Sequence, residues 1–222
     1  MIDWTTIRTV LLDMDGTLLD LHFDNHFWLE HMPRRYAELR EIGLEAARAE
    51  LLQRYKQVEG TMDWYCLDYW SNELDMDIAA LKQEVEHLIA VHPNVVRFLG
   101  AVRESGRRVV LVTNAHMKSL RLKMDKTQLA GHLDAVYCAH DFGRPKEDPQ
   151  FWNLLRTAEP FAPDTTLLVD DSLPVLRSAR EAGIGQLLCV HRPDTRAPDK
   201  DVGEFAAIRS FRDIMPPEGT GG

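Results

Sequence analysis

The stretch LLDMDGTLLD at residues 11–20 places two aspartates, Asp13 and Asp15, directly after a short apolar run. Gly16 and Thr17 follow them, and a glycine allows the chain to turn sharply where a strand ends. Two carboxylates held this close repel each other unless a cation lies between them. The stretch therefore predicts a buried strand whose end carries an acidic, cation-binding site.

The composition limits the classes of protein that this chain can belong to. It has 222 residues with 45% hydrophobic and 27% charged residues, which is typical of a globular protein with one sizeable domain or a core with a smaller insertion. A net charge of −9 argues against binding a nucleic acid polymer.

Three cysteines without a C-x-x-C motif are typical of reduced thiols. We find no signal peptide and no apolar run long enough for a membrane span, so we expect a cytoplasmic protein. The sequence leaves a monomer and a homodimer both open.

Short apolar runs alternate with helical patterns along most of the chain. The runs are apolar on both faces, as in strands covered by helices on both sides. Helices are predicted to begin near Pro93, after the N-cap Asp148 and after Ser172. This alternation predicts an α/β fold with a Rossmann-like parallel sheet as its core. The predicted strands span residues 9–12, 109–112, 135–138, 167–169 and 186–190.

One long stretch between the first two strands has helical periodicity and no strand pattern. We therefore predict an α/β core domain of residues 1–22 and 91–222, with a helical domain of residues 23–90 inserted after the first strand. The inserted stretch is rich in aromatic residues. These either pack together or present one or two rings to a flat ligand such as a purine. They are Phe23, Phe27, Trp28, Trp64, Tyr65, Tyr69 and Trp70.

Polar residues suited to phosphoryl transfer come after each of the first four predicted strands. In open parallel sheets, ligands bind outside the carboxyl ends of the strands, so we expect these residues to meet at one edge. Carboxylates hold a metal or attack phosphorus, and a lysine offsets the charge of the phosphoryl group. The residues are Asp13 and Asp15, Thr113 and Asn114, Lys146, and the pair Asp170 and Asp171.

This order of motifs resembles that of the haloacid dehalogenase superfamily of phosphohydrolases. The motifs are DMDGT, a strand ending in Thr113, Lys146 in FGRPKEDP, and the paired acids of LLVDDS. The resemblance implies that Asp13 is the nucleophile that forms an aspartyl-phosphate, and that Asp15 is the general acid and base. It implies a Mg²⁺ ion bound by Asp13, Asp170 and the carbonyl of Asp15, with Asp171 behind the ligands. Thr113, Asn114 and Lys146 are then expected to bind the phosphoryl group.

The resemblance also suggests a substrate. A helical insertion at this place is similar to the first class (C1) of mobile cap domains in the superfamily. The segments TVLLDMDGTLLDLHFDNHFW, DWYCLDYWS and FGRPKED resemble the bacterial GMP/IMP nucleotidases of that superfamily, which implies hydrolysis of 6-oxopurine 5′-monophosphates. Asp68 and Asn72 are candidates for binding the base.

Other functions remain open at this stage. A phosphatase for phosphoglycolate or a sugar phosphate, or a phosphomutase, would use the same motifs. The acid at Asp15 disfavours a dehalogenase, which needs no acid to protonate a halide. A signalling receiver domain accepts phosphate on an aspartate that ends the third strand, whereas Asp141 lies beyond that strand here. A protein that keeps the fold without catalysis is disfavoured because all the motif residues are present.

Overall fold

The computed structural model of the chain describes residues 2–217, and within them a six-stranded parallel sheet forms the core. The strand order is β3-β2-β1-β4-β5-β6. This arrangement confirms the predicted α/β fold with a Rossmann-like sheet. The last strand has no counterpart among the predicted strands. The strands are β1 (Thr9–Leu12), β2 (Arg108–Thr113), β3 (Ala135–Cys138), β4 (Thr166–Asp170), β5 (Gln186–Val190) and β6 (Ala206–Ile208).

The last four α-helices of the described residues cover the sheet: α7 (Val95–Glu104), α8 (Met117–Thr127), α9 (Pro149–Ala158) and α10 (Leu173–Glu181). The start of α9 agrees with the prediction, because the Asp148 side chain accepts a hydrogen bond of 2.9 Å from the Gln150 N–H. Helix α7 begins later than predicted. Asn94 has a φ of 68° and separates Pro93 from the helix, since this left-handed conformation cannot belong to a right-handed helix.

The helices between β1 and α7 pack around aromatic side chains. Trp28, Tyr55 and Trp70 contact one another, with ring centroids 5.1–5.9 Å apart. The buried apolar residues of these helices are continuous with those of one face of the sheet. The division into domains at residues 22/23 and 90/91 stays a prediction. The helices are α1 (His22–His26), a π-helical turn (Phe27–His31), α2 (Met32–Arg40), α3 (Leu44–Val58), α4 (Met62–Tyr65), α5 (Leu67–Leu74) and α6 (Ile78–Glu84).

The sheet register determines which residues meet at its carboxyl edge. Strands β1 and β4 are neighbours, and Leu12 pairs with Val169. The residues that come next, Asp13 and Asp170, therefore lie side by side. From β1 the chain first adds β2 and β3 on one side and then adds β4, β5 and β6 on the other side. Open α/β sheets bind ligands where the strand order switches in this way, which here is between β1 and β4. Among residues 2–217, no helix has the length and apolar character needed to cross a membrane.

Two glycines outside the inserted helices, Gly185 and Gly100, provide a matched test of this fold. A Cβ at Gly185 would lie 2.8 Å from the carbonyl oxygen of Asp164, whereas a Cβ at Gly100, inside α7, has no other atom within 4 Å. We expect Gly185→Ala to lower the free energy of unfolding by about 1–3 kcal/mol through this clash. Gly100→Ala should raise it by about 0.5–1 kcal/mol, because alanine favours a helix interior. Urea unfolding measures both changes, and effects of the same sign would contradict the described backbone.

Candidate active site

A buried ammonium group lies at the centre of the carboxyl edge. The Lys146 Nζ is 2.5 Å from Asp13 Oδ1, 2.7 Å from Asp170 Oδ2 and 3.1 Å from the Val112 carbonyl oxygen. Burial lowers the pKa of Lys146, but the carboxylates of Asp13 and Asp170 outweigh burial and raise it above its ordinary value. The lysine is therefore a fixed positive charge between two acids that come from different strands.

Asp13, Asp170 and Asp171 form a group of three carboxylates. Each offers an oxygen that lies within 4.8 Å of the oxygens of the other two. Burial, with the repulsion of neighbouring acids, raises the pKa of Asp13 and Asp170 to about 6 and that of Asp171 to about 7, despite the nearby lysine. A compact set of carboxylate oxygens fits a hard divalent cation, which offsets this repulsion. Asp171 lies within the group of candidate ligands, whereas the resemblance implied a place behind them.

The backbone around this group is tightly constrained. Gly16 has a φ of 82°, and a Cβ on it would lie 2.8 Å from the Cγ of Asp171. Only glycine fits this close approach without strain. Asp170 uses its second oxygen, Oδ1, to accept a hydrogen bond of 2.9 Å from the Ser172 N–H at the start of α10. Both oxygens of Asp170 are therefore held in place.

Asn114, just after β2, fixes the loop that carries Lys146. Its Oδ1 accepts a hydrogen bond of 2.9 Å from the Lys146 N–H, and its Nδ2 donates one of 2.9 Å to Glu147 Oε2. The other oxygen of Glu147 accepts a hydrogen bond of 2.5 Å from the Tyr65 hydroxyl at the end of α4. This series of contacts joins β2, the lysine loop and the inserted helices. Glu147 and Tyr65 were not among the predicted site residues.

A second buried network surrounds Asp15 and was also missed from the sequence. Lys123 Nζ lies 2.6 Å from Asp15 Oδ1 and 2.7 Å from Asp24 Oδ2, and Lys82 Nζ lies 2.7 Å from Asp24 Oδ1. Burial raises the pKa of Asp15 to about 6 even though Lys123 opposes it. Burial also raises the pKa of Asp24, but the two lysines outweigh it and lower that pKa to about 2. The sequence feature that could have revealed this network is Lys123, a lysine on the apolar face of α8 beside Leu120 and Met124.

A cavity of about 330 Å³ opens above these groups. This size is within the usual range for small-molecule sites. Its lining includes all seven residues predicted from the ends of the strands, together with Asp24, Lys82 and Glu147. The inserted helices contribute an aromatic wall of Trp28, Tyr55, Trp64, Tyr65 and Trp70.

Neither Asp68 nor Asn72, the two candidates for binding the base, lines this cavity. Asp68 instead pairs with Lys118 at 2.5 Å, and Asn72 is exposed. Both lie on α5, where the residues that point inward are Leu67, Trp70 and Leu74.

Comparisons with known proteins agree with this geometry. The sequence profile of the haloacid dehalogenase-like hydrolases matches residues 7–183. The chain is 38% identical over 215 residues to the GMP/IMP nucleotidase YrfG of Escherichia coli K12, covering 97% of each protein. It is 29% identical to a phosphoglycolate phosphatase of Nitrosospira multiformis, covering 83% of each. The fold is similar to a crystal structure of a phosphatase from Thermococcus onnurineus, with a TM-score of 0.76, 22% identity and coverage of 94% and 96%.

Two lysines of α8 allow the buried network to be tested against an exposed ion pair. Lys123→Met leaves Asp15 and Asp24 without their shared cation, and we expect the free energy of unfolding to fall by about 3–5 kcal/mol. Lys126 pairs with Glu86 at 3.1 Å, with 42% and 41% of the two side chains exposed. Lys126→Met should therefore cost less than about 1 kcal/mol. Urea unfolding measures both, and equal losses would show that the buried network contributes no more than a surface pair.

Proposed function

The chain belongs to the haloacid dehalogenase-like hydrolases, and we propose that it is a Mg²⁺-dependent 5′-nucleotidase that hydrolyses GMP and IMP. The observation that carries the reaction type is the convergence of Asp13, Asp15, Asp170 and Lys146 on one cavity. The substrate class is supported by the 38% identity to a GMP/IMP nucleotidase along nearly the whole of both chains.

In the first step, a carboxylate oxygen of Asp13 attacks the phosphorus of the substrate. The bond between phosphorus and the 5′-oxygen of the nucleoside breaks, and an aspartyl-phosphate forms. Lys146 holds Asp13 through the 2.5 Å contact to Oδ1, so the nucleophile is oriented before the substrate binds. The same ammonium group offsets the charge that the phosphoryl oxygens bring into the buried site.

Asp15 moves the proton in both steps. It donates a proton to the leaving 5′-oxygen, and its ionised form then removes a proton from the water that attacks the aspartyl-phosphate. That attack breaks the bond between Asp13 and phosphorus and releases phosphate. A pKa raised to about 6 by burial suits this role, since the group can hold and release a proton near neutral pH. Lys123 fixes the position of Asp15 through its 2.6 Å contact.

The carboxylates of Asp13 and Asp170, with the Asp15 carbonyl oxygen, are the ligands that we propose for Mg²⁺, and Asp171 offers a third carboxylate beside them. When bound, Mg²⁺ supplies positive charge that stabilises the phosphoryl oxygens in the transition state. The Thr113 hydroxyl lines the same cavity and is our candidate donor to a phosphoryl oxygen.

The inserted helices are the proposed source of base selectivity. The aromatic wall provides flat apolar surface on which a purine ring can stack. A site that pairs with N1–H and O6 rejects a base without them, because its own polar groups would be left unpaired. The polar side chains that line the cavity include Asp24 and Asn25 of α1, and Glu147 next to Lys146.

Phosphate release from a panel of substrates tests the proposal. We expect GMP and IMP to be hydrolysed at least about tenfold faster than AMP in kcat/KM, and activity to be lost when EDTA removes Mg²⁺. The Asp13→Asn variant gives the background rate of phosphate release. We expect its kcat/KM to be at least about 10³-fold lower than that of the parent, because the nucleophile is removed. Circular dichroism and the unfolding temperature verify that this variant is folded.

Each unexpected outcome of the panel rejects a different part of the proposal. Faster release from phosphoglycolate or a sugar phosphate would reject the nucleotide substrate and leave the phosphatase chemistry. Hydrolysis by a folded Asp13→Asn variant at the parent rate would reject the nucleophile.

We also expect Mg²⁺ to raise the unfolding temperature more at about pH 8 than at about pH 5. Burial raises the pKa values of Asp13 and Asp170 to about 6 and of Asp171 to about 7. The stability contributed by such raised groups is present at low pH and is lost as the pH rises through these values. Mg²⁺ binds the ionised carboxylates and offsets that loss. Differential scanning fluorimetry measures the shift, Asp170→Asn is the control that should abolish most of it, and an equal shift at both pH values would contradict the assigned ligands.

A further inference from the structure

A second group of potential metal ligands exists besides the three carboxylates, and one of its members, His116, lines the same cavity. Cys66, His116 and His140 each offer a ligand atom, and these atoms all lie within 4.8 Å of one another. Cys66 belongs to the inserted helices, between α4 and α5, whereas His116 and His140 follow β2 and β3. The proposed hydrolysis assigns no role to any of the three.

The ring of His140 has one nitrogen that is left without a partner. Its Nδ1 lies 3.6 Å from Cys138 Sγ, but its Nε2 is buried and has no hydrogen-bond partner among residues 2–217. A buried polar atom without a partner is costly, and binding of a cation would satisfy it. Burial, together with the neighbouring His116, lowers the pKa of His140.

His116 has one nitrogen that makes only a long polar contact. Its Nε2 lies 3.6 Å from Asp68 Oδ2, which exceeds a normal hydrogen bond and is near the separation of about 3.4 Å between two ligands of a tetrahedral zinc ion. Burial also lowers the pKa of His116. Its Nδ1 accepts only a long hydrogen bond of 3.4 Å from the Lys118 N–H. Coordination through Nε2 would place the ring proton on Nδ1, so this long contact would be given up in exchange for the metal.

Cys66 completes the set with a sulfur ligand. The side chain is half-buried, and its Sγ accepts a hydrogen bond of 3.4 Å from the Tyr69 N–H. Sulfur and imidazole nitrogen are the ligands that zinc prefers, whereas magnesium prefers the oxygens of the other site. The two clusters therefore differ in the metal that each selects.

We propose that Cys66, His116 and His140 form a Zn²⁺ site, with the Asp68 carboxylate beside it. Binding displaces the thiol proton of Cys66 and forms bonds from the metal to one sulfur and two imidazole nitrogens. Because Cys66 and the two histidines belong to different parts of the fold, the ion links the inserted helices to the loops at the sheet edge. This site goes beyond the proposed hydrolysis and does not depend on it.

Cobalt spectroscopy of the reduced, metal-free, full-length protein tests this site directly. Co²⁺ is added in the presence of a large excess of Mg²⁺, which occupies the carboxylate site. We expect a sulfur-to-cobalt charge-transfer band together with the strong visible absorption of a tetrahedral site, and Zn²⁺ should displace both. Cys66→Ser should remove the charge-transfer band. Cys189→Ser is the matched control and should retain it, because the Cys189 Sγ donates to the carbonyl oxygens of Asp171 and Val190 and to none of the three proposed Zn²⁺ ligands.

Thermal unfolding gives an independent measurement. Zn²⁺ should raise the unfolding temperature of the parent, and the shift should be lost in Cys66→Ser and in His140→Ala. Loss of an outer partner alone weakens metal binding by about 10–100-fold, so we expect loss of a ligand to weaken it by at least about 100-fold. Unfolding temperatures with a chelator present show whether each variant is folded. Absence of a charge-transfer band, its persistence in Cys66→Ser, or its loss in folded Cys189→Ser would overturn the proposal.

Discussion

Lys146 allows acidic side chains from two strands to share the buried end of the sheet. Its ammonium group contacts Asp13 and Asp170, so neither carboxylate is left without an opposite charge. A buried charge without a partner would be strongly destabilising. Lys123 repeats the arrangement between Asp15 and Asp24. The site thus rests on two buried lysines, each of which joins two carboxylates, and the two aspartates of the first loop belong to different networks.

Much of the fold could be predicted because strands covered on both faces are short apolar runs that stand out from the helical patterns around them. Five of the strands are recognisable in this way. The sixth, Ala206–Ile208, has three residues, two of them exposed, and so has no such pattern. The late start of α7 depends on the left-handed conformation of Asn94, and an asparagine alone does not reveal its φ.

The candidate site also has one part that could be predicted from the sequence and another that could not. Asp13, Lys146 and Asp170 could be predicted to meet because sheet topology brings the ends of neighbouring strands together, although their roles stay a proposal. Lys123 and Asp24 are far apart in the chain, and their contact depends on how the inserted helices pack against α8. No local pattern encodes that packing. For the same reason, the sequence of α5 did not reveal that Asp68 points to Lys118 and away from the cavity.

The position of β4 in the chain has a consequence for synthesis on the ribosome. Asp13 emerges early, whereas Asp170 ends the strand that must insert beside β1, after nearly all of the other site residues have been made. Until then, one side of β1 has no neighbour and Lys146 has only one of its two carboxylate partners. A nascent chain therefore carries an incomplete acidic cluster, and the competent centre arises only when the second half of the sheet has docked.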